Sequence, residues 1–201
     1  MPEVNDLDDR IGILIYGQSQ IIYSTQEFPT RNALVKLPND EQIALVCDRY
    51  KLWMLNIAEE LTQNPNAAYA ILALLNSYFD MIASLSGYAN KYPKERVKIG
   101  LALVFKELAA QSHIVDLLED RLRNPMAHMG MTKDHIILID EYNEPVVWGK
   151  YHGIDAIVIN ARLWVKHIAQ HFEEFSANLR DPAPQFDQLR SHFLKRISEP
   201  A

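Results

Sequence analysis

A single cysteine, Cys47, occurs in 201 residues. That excludes an intrachain disulfide and any thiolate-rich metal site, and it fits a reducing compartment. Excess positive charge is also missing. Twenty Lys and Arg against 26 Asp and Glu leave a formal net charge of −6, which argues against a protein that coats nucleic acid without selectivity. A local basic pocket is still allowed. No charge-poor run reads as long enough to cross a bilayer, and the start, Met1 to Asp9, is acidic where a secretory signal would be basic. A cytoplasmic location and no membrane partner are therefore expected. There is no Gly-rich phosphate loop and no H-E-x-x-H pattern. His167 and His171 lie one helical turn apart without an acidic ligand at a set spacing, so they are expected to be solvated helix-face histidines. No metal and no cofactor are expected.

What the chain does have is apolar residues at helical spacing. They make up 48% of the sequence together with the other hydrophobics, enough for one domain with a proper core. From Gln42, the residues Ile43, Val46, Tyr50, Trp53 or Met54, Ile57 and Leu61 recur every three or four positions, which predicts an amphipathic helix ending near Thr62. Residues 67–89 are apolar around most of a helix and should be central. One stripe there, Ala73, Asn76, Asp80, Ala83 and Gly87, is small or polar. It fits either a close helix contact with Asn76 and Asp80 internally hydrogen-bonded, or the lining of a polar cleft. Lys91-Tyr92-Pro93-Lys94 opens the next helix, whose buried face is Val97, Leu101, Val104 and Leu108. It continues or restarts at Ser112 and runs to Arg123. A last long helix is expected from Asp155 to Leu179, stopped by Asp181-Pro182-Ala183-Pro184.

Two short segments read as β-hairpins, one over residues 11–23 and one over 135–148 around Asp140 to Glu144. The expected fold class is mainly α, a bundle of four to five helices with one or two appended β-hairpins. The expected organisation is an N-terminal hairpin and connection over 1–41, a helical domain over 42–180 carrying the second hairpin, and a C-terminal tail over 181–201 with a short amphipathic helix.

The most informative segment is Arg123-Asn124-Pro125-Met126-Ala127-His128. Proline has no amide proton for a helix interior and biases the residue before it away from helical angles, so Asn124-Pro125 should interrupt the helix. On an unbroken helix Arg123 and His128 would sit about 140° apart; a break at Asn124 can bring them together. The same residues also fit a plainer reading, with Asn124 an N-cap, Pro125 the first residue of a new turn and His128 on the surface.

R-N-x-x-x-H at the end of a helix, in a compact helical domain, resembles the signature of the HEPN family (higher eukaryotes and prokaryotes nucleotide-binding). The likeness covers residues 42–180, although only the hexapeptide is specific. It implies metal-independent RNA cleavage by attack of a 2′-hydroxyl on the adjacent phosphate. His128 would transfer protons, Arg123 would stabilise charge on the phosphoryl oxygens, and Asn124 would position them. It also implies a homodimer whose two motifs form one composite site, in a defence, toxin or stress setting. Asn76, Asp80, Lys94 and Arg96 are candidate substrate-binding residues, the last two from the basic run Lys91, Lys94, Arg96 and Lys98. The rival expectation is a noncatalytic RNA- or nucleotide-binding or protein-interaction module, with an antitoxin or other regulatory protein as partner. One departure bears on that setting. Some members in nucleotidyltransferase-linked toxin–antitoxin pairs carry a modifiable tyrosine two positions after the histidine; here that position is Gly130, which puts pairing with such an antitoxin in doubt.

Overall fold

The structure, a computed structural model, describes residues 14–17, 20–23, 34–123 and 135–198. Strands β1 (Leu14–Gly17) and β2 (Gln20–Tyr23) pair antiparallel. Helix α1 (Asn39–Tyr50) runs through a π-helical turn at Lys51–Leu55 into α2 (Asn56–Leu61). Helix α3 (Ala68–Ala83) likewise ends in a π-helical turn, Ser84–Tyr88. Then come α4 (Pro93–Val104) and α5 (Ser112–Leu118), the latter prolonged by a third π-helical turn, Glu119–Arg123. Strands β3 (Ile136–Leu138), β4 (Val146–Tyr151) and β5 (Ile154–Ile159) precede α6 (Ala161–Arg180) and α7 (Asp187–Ser198). The protein is mainly α-helical, with a small mixed sheet.

The π-helical turn in α1–α2 corrects one expected face. Its i→i+5 closure inserts a residue and shifts the phase of everything that follows. Leu55 and Ala58 thereby turn inward, while Ile57, which a regular period would bury, is 42% exposed.

The sheet corrects two further expectations. β3 and β4 do not form a hairpin with each other. Both flank β5, β3 in parallel and β4 antiparallel, giving the order β3-β5-β4. The tight hairpin is β4–β5, turned by His152 and Gly153, both at positive φ. The long helix starts at Ala161, not Asp155. Ile157 and Val158 are buried as expected, but on a strand, where the run Ala156 to Ile159 is buried at every position. Such a run fits a central strand covered on both faces.

Asn160 joins sheet to helix. Its side-chain oxygen accepts from the amides of Arg162 and Leu163, both at 3.1 Å, and its amide nitrogen donates to the carbonyls of Asp140 (2.9 Å) and Tyr142 (2.7 Å). One buried side chain thus caps α6 and holds the β3–β4 connection.

Helix α3 is central. Ile71, Leu72, Leu75, Tyr78, Phe79 and Ile82 are almost fully buried. The expectation that no segment is long and apolar enough to cross a bilayer does not survive by length and composition alone, because Ala68–Tyr88 meets both criteria. Here that helix packs at the middle of the domain. Phe79 lies edge-on to Trp164 of α6, with ring centroids 5.6 Å apart, and Trp164 packs on Phe105 at 4.5 Å. Against α4 the approach is backbone to backbone: a Cβ on Gly100 would lie 2.0 Å from the carbonyl oxygen of Phe79. The C-terminal helix α7 also belongs to the core, since Phe193 is fully buried in the same cluster.

Candidate functional site

The α5 helix carries the chain to Arg123 in the π-helical turn Glu119–Arg123. Asn124, Pro125 and His128, with the rest of 124–134, lie outside the described residues, as does the side chain of Arg123. On the entry side of that segment, Ile114, Val115, Leu118 and Leu122 are buried. Glu119, one turn before Arg123, is 3% exposed, and its carboxylate meets the Lys94 ammonium at 3.3 Å. An inward carboxylate needs such a partner to offset the loss of water.

On the exit side, His135 adopts a left-handed backbone (φ 71°), a conformation uncommon outside glycine but enriched in histidine. Its ring Nδ1 is 2.7 Å from the carbonyl oxygen of Asp155, and its own carbonyl accepts from the amide of Ile157 at 2.8 Å. Entry and exit elements also touch. His113 of α5 lies edge-on to Trp148 of β4, with centroids 6.2 Å apart. The motif segment therefore connects a helix and a sheet that are in mutual contact.

The candidate substrate-binding residues take up definite positions. Arg96 and Asp80 hold each other across α3 and α4 in a two-point contact, Nε to Oδ1 at 2.8 Å and Nη2 to Oδ2 at 3.2 Å. Arg96 Nη1 also donates to the carbonyl of Lys91 at 2.8 Å and, more weakly, to that of Ala89 at 3.4 Å. Such a fork fixes geometry as well as charge. Asn76 is half-buried one turn before Asp80. Lys94 reaches Glu119, and Lys98 pairs with Asp116 of α5. Three of the four cations of the basic run are thus matched by carboxylates on neighbouring helices. Lys91 has no carboxylate partner among the described residues.

A second polar constellation escaped the sequence reading. His167 and His171 are half-buried and engaged by neighbouring groups rather than standing free on the helix face. His167 stacks on Phe105 with centroids 4.8 Å apart, and its Nε2 is 2.9 Å from the carbonyl oxygen of Val104. His171 Nδ1 is 2.8 Å from the hydroxyl of Tyr78. Burial keeps the Tyr78 phenol protonated, its pKa raised well above the ordinary value. A small open cleft lies beside the two rings, lined also by Lys106, Gln170 and Glu174. Among the described residues, no group of three His, Cys, Asp or Glu is placed to hold a metal ion. The i, i+4 spacing of the histidines was visible in the sequence. Tyr78, 93 positions from His171, was not visible as its partner.

The cleft predicts a pH dependence. Burial, reinforced by Lys106 and His167 and opposed by Glu174, holds His171 down to about 4 from an ordinary 6.5. A folded-state pKa below the unfolded value means that the unfolded chain binds more protons between the two. Stability is then complete above about pH 6.5 and falls as pH drops towards 4, by on the order of 2–3 kcal/mol. Urea titrations at pH 7 and pH 4.5 should show a larger loss for the wild type than for His171→Gln. Equal losses would contradict the assignment.

Cys47 is buried, its thiol hydrogen-bonded to Ser176 and its pKa raised by desolvation. It is an inert core residue. No protein-family model matches the chain, and neither a curated protein nor a solved structure does.

Proposed function

We propose that the protein is a metal-independent endoribonuclease of HEPN-like architecture, acting from a cytoplasmic location at a site formed by Arg123, Asn124 and His128. One observation carries the reading: a complete R-N-x-x-x-H set follows directly on a helix that is anchored in the core of a mainly helical domain and locked at its last turn by Lys94–Glu119. Position and chemistry agree. Arginine offers a permanently charged, forked donor to phosphoryl oxygens, and histidine exchanges protons near neutral pH. In the proposed step the 2′-hydroxyl loses its proton to an imidazole as its oxygen bonds to phosphorus. The bond to the 5′-oxygen breaks, and a second imidazolium returns a proton to that leaving oxygen. The products are a cyclic phosphate and a free 5′-hydroxyl.

Base and acid act in the same displacement, which one histidine does not readily supply. A two-fold dimer with both motifs in one groove provides the two imidazoles. Light scattering at micromolar protein should give the dimer mass, and RNA should be cut in the presence of EDTA. A monomer at that concentration, or cleavage that EDTA abolishes, would count against the composite, metal-free site. The second reading, a noncatalytic RNA-binding or protein-interaction module, is favoured by the acidic net charge of −6. It would show RNA binding without cleavage, or a protein partner and neither.

A further inference from the structure

The turn between α3 and α4 is both braced and exposed. Tyr92 is 79% exposed and Tyr88 40% exposed, two aromatic rings bracketing Lys91. The π-helical end of α3 and the left-handed Gly87 (φ 102°) bring the chain into this turn. A side chain at Gly87 would meet the ring of His192 on α7 at 2.7 Å, so α7 closes over the turn's inner side. The amide of Lys91 bonds the carbonyl of Tyr88 at 3.0 Å, and the amide of Arg96 bonds that of Tyr92 at 3.0 Å. Arg96, fixed to Asp80, reaches the carbonyls of Ala89 and Lys91. Pro93 fixes its own φ and restricts the preceding residue, Tyr92, to its extended conformation. Tyr92 is therefore an exposed ring on a preorganised backbone, which lowers the entropy cost of using it as a contact.

Two lysines, Lys91 and Lys94, flank Tyr92, with the carboxylate of Glu95 following. Lys91 has no carboxylate partner among the described residues, and Lys94 leads through Glu119 to the turn that ends at Arg123. Aromatic rings interleaved with cations fit a strand whose bases are unstacked, since only then is a base face free to lie on tyrosine while the backbone meets lysine. A base-paired duplex presents no such face.

We propose that the Tyr88–Lys94 turn is the binding platform for single-stranded RNA on its way to the Arg123–His128 motif, with Tyr92 stacking on one base and Lys91 contacting the backbone. This rests on the ribonuclease reading and names its substrate class as unpaired RNA. The test uses full-length protein carrying His128→Ala, so that the probe survives, and fluorescence anisotropy with a short labelled single strand and its blunt duplex. Tyr92→Ala should weaken single-strand binding about tenfold, the scale of one lost base stack, with little change for the duplex. Tyr92→Trp should restore it, and Lys91→Glu should weaken binding and flatten its salt dependence. Thermal melts check that each variant is folded, as expected for so exposed a ring. Unchanged single-strand affinity in Tyr92→Ala, or equal losses for both probes, overturns the platform. A parent protein that binds neither probe overturns it as well. RNA cleavage measured separately with His128 intact and Tyr92 replaced keeps the two readings apart: cleavage with unaltered affinity defeats the platform and leaves the ribonuclease standing.

Discussion

Replacing either Arg123 or His128 with alanine should lower RNA cleavage by about two orders of magnitude or more, the scale of losing acid–base or charge-stabilising help in a transition state. The two losses should differ in kind. His128→Ala removes the proton carrier, so the residual rate should lose its dependence on pH near neutrality. Arg123→Ala leaves the proton carriers and removes charge stabilisation, so the pH profile should keep its shape at a lower level. Asn124→Ala should lose less if Asn124 only positions its neighbours. A mixed dimer of wild-type and His128→Ala chains should be nearly as inactive as the His128→Ala homodimer if one groove holds both motifs, because a groove with a single imidazole lacks the second proton carrier. Steady-state cleavage of a labelled RNA at several pH values reads all three. Wild-type rates in folded Arg123→Ala and His128→Ala proteins would remove the motif from the chemistry.

Gly100→Ala should destabilise the fold by more than about 2 kcal/mol. The sign makes this informative. In an ordinary helix interior the same change stabilises by about 1 kcal/mol, because alanine is the better helix former. Here the added methyl would fall 2.0 Å from the Phe79 oxygen, 2.6 Å from its carbonyl carbon and 2.7 Å from its Cα. All three are backbone atoms of the central helix and cannot step aside as a flexible side chain can. α4 must move outward, stretching the Arg96–Asp80 fork that spans the same two helices. Denaturant unfolding would show the midpoint moving down; an upward shift would mean that α3 and α4 do not meet as closely as described.

Much of the helical framework was legible because amphipathic periods are local. Trp164, Ile168, Phe172, Phe175 and Leu179 are buried as their spacing requires, Pro93 opens α4, and α6 ends at Arg180 before Asp181-Pro182. The sheet was less legible because its pairing is non-local. Ile154 to Ile159 shares apolar, β-branched composition with a buried helix turn, and nothing in its own residues reveals that β3 lies parallel to it. The three π-helical turns carry no recognised sequence signal, yet one of them exposes Ile57. Asn160 was a readable cap signal, an asparagine just before a helical run, hidden by extending the helix back to Asp155. Of the candidate site residues, Asp80 was expected in an internally hydrogen-bonded helix contact or on a polar cleft, and Arg96 in a basic run at a helix start, with nothing in the sequence to pair the two. Only the crossing of α3 and α4 shows that they hold each other and, through the carbonyls of Ala89 and Lys91, the turn that carries Tyr92.

The chemical identity of the new RNA ends tests the central claim most directly. RNA incubated with wild-type protein in EDTA should yield fragments ending in a 2′,3′-cyclic phosphate or the 3′-phosphate derived from it, with 5′-hydroxyls on the downstream pieces, and His128→Ala should yield almost none. Fragments bearing 5′-phosphates and 3′-hydroxyls, or the same fragments from wild type and His128→Ala alike, would contradict it.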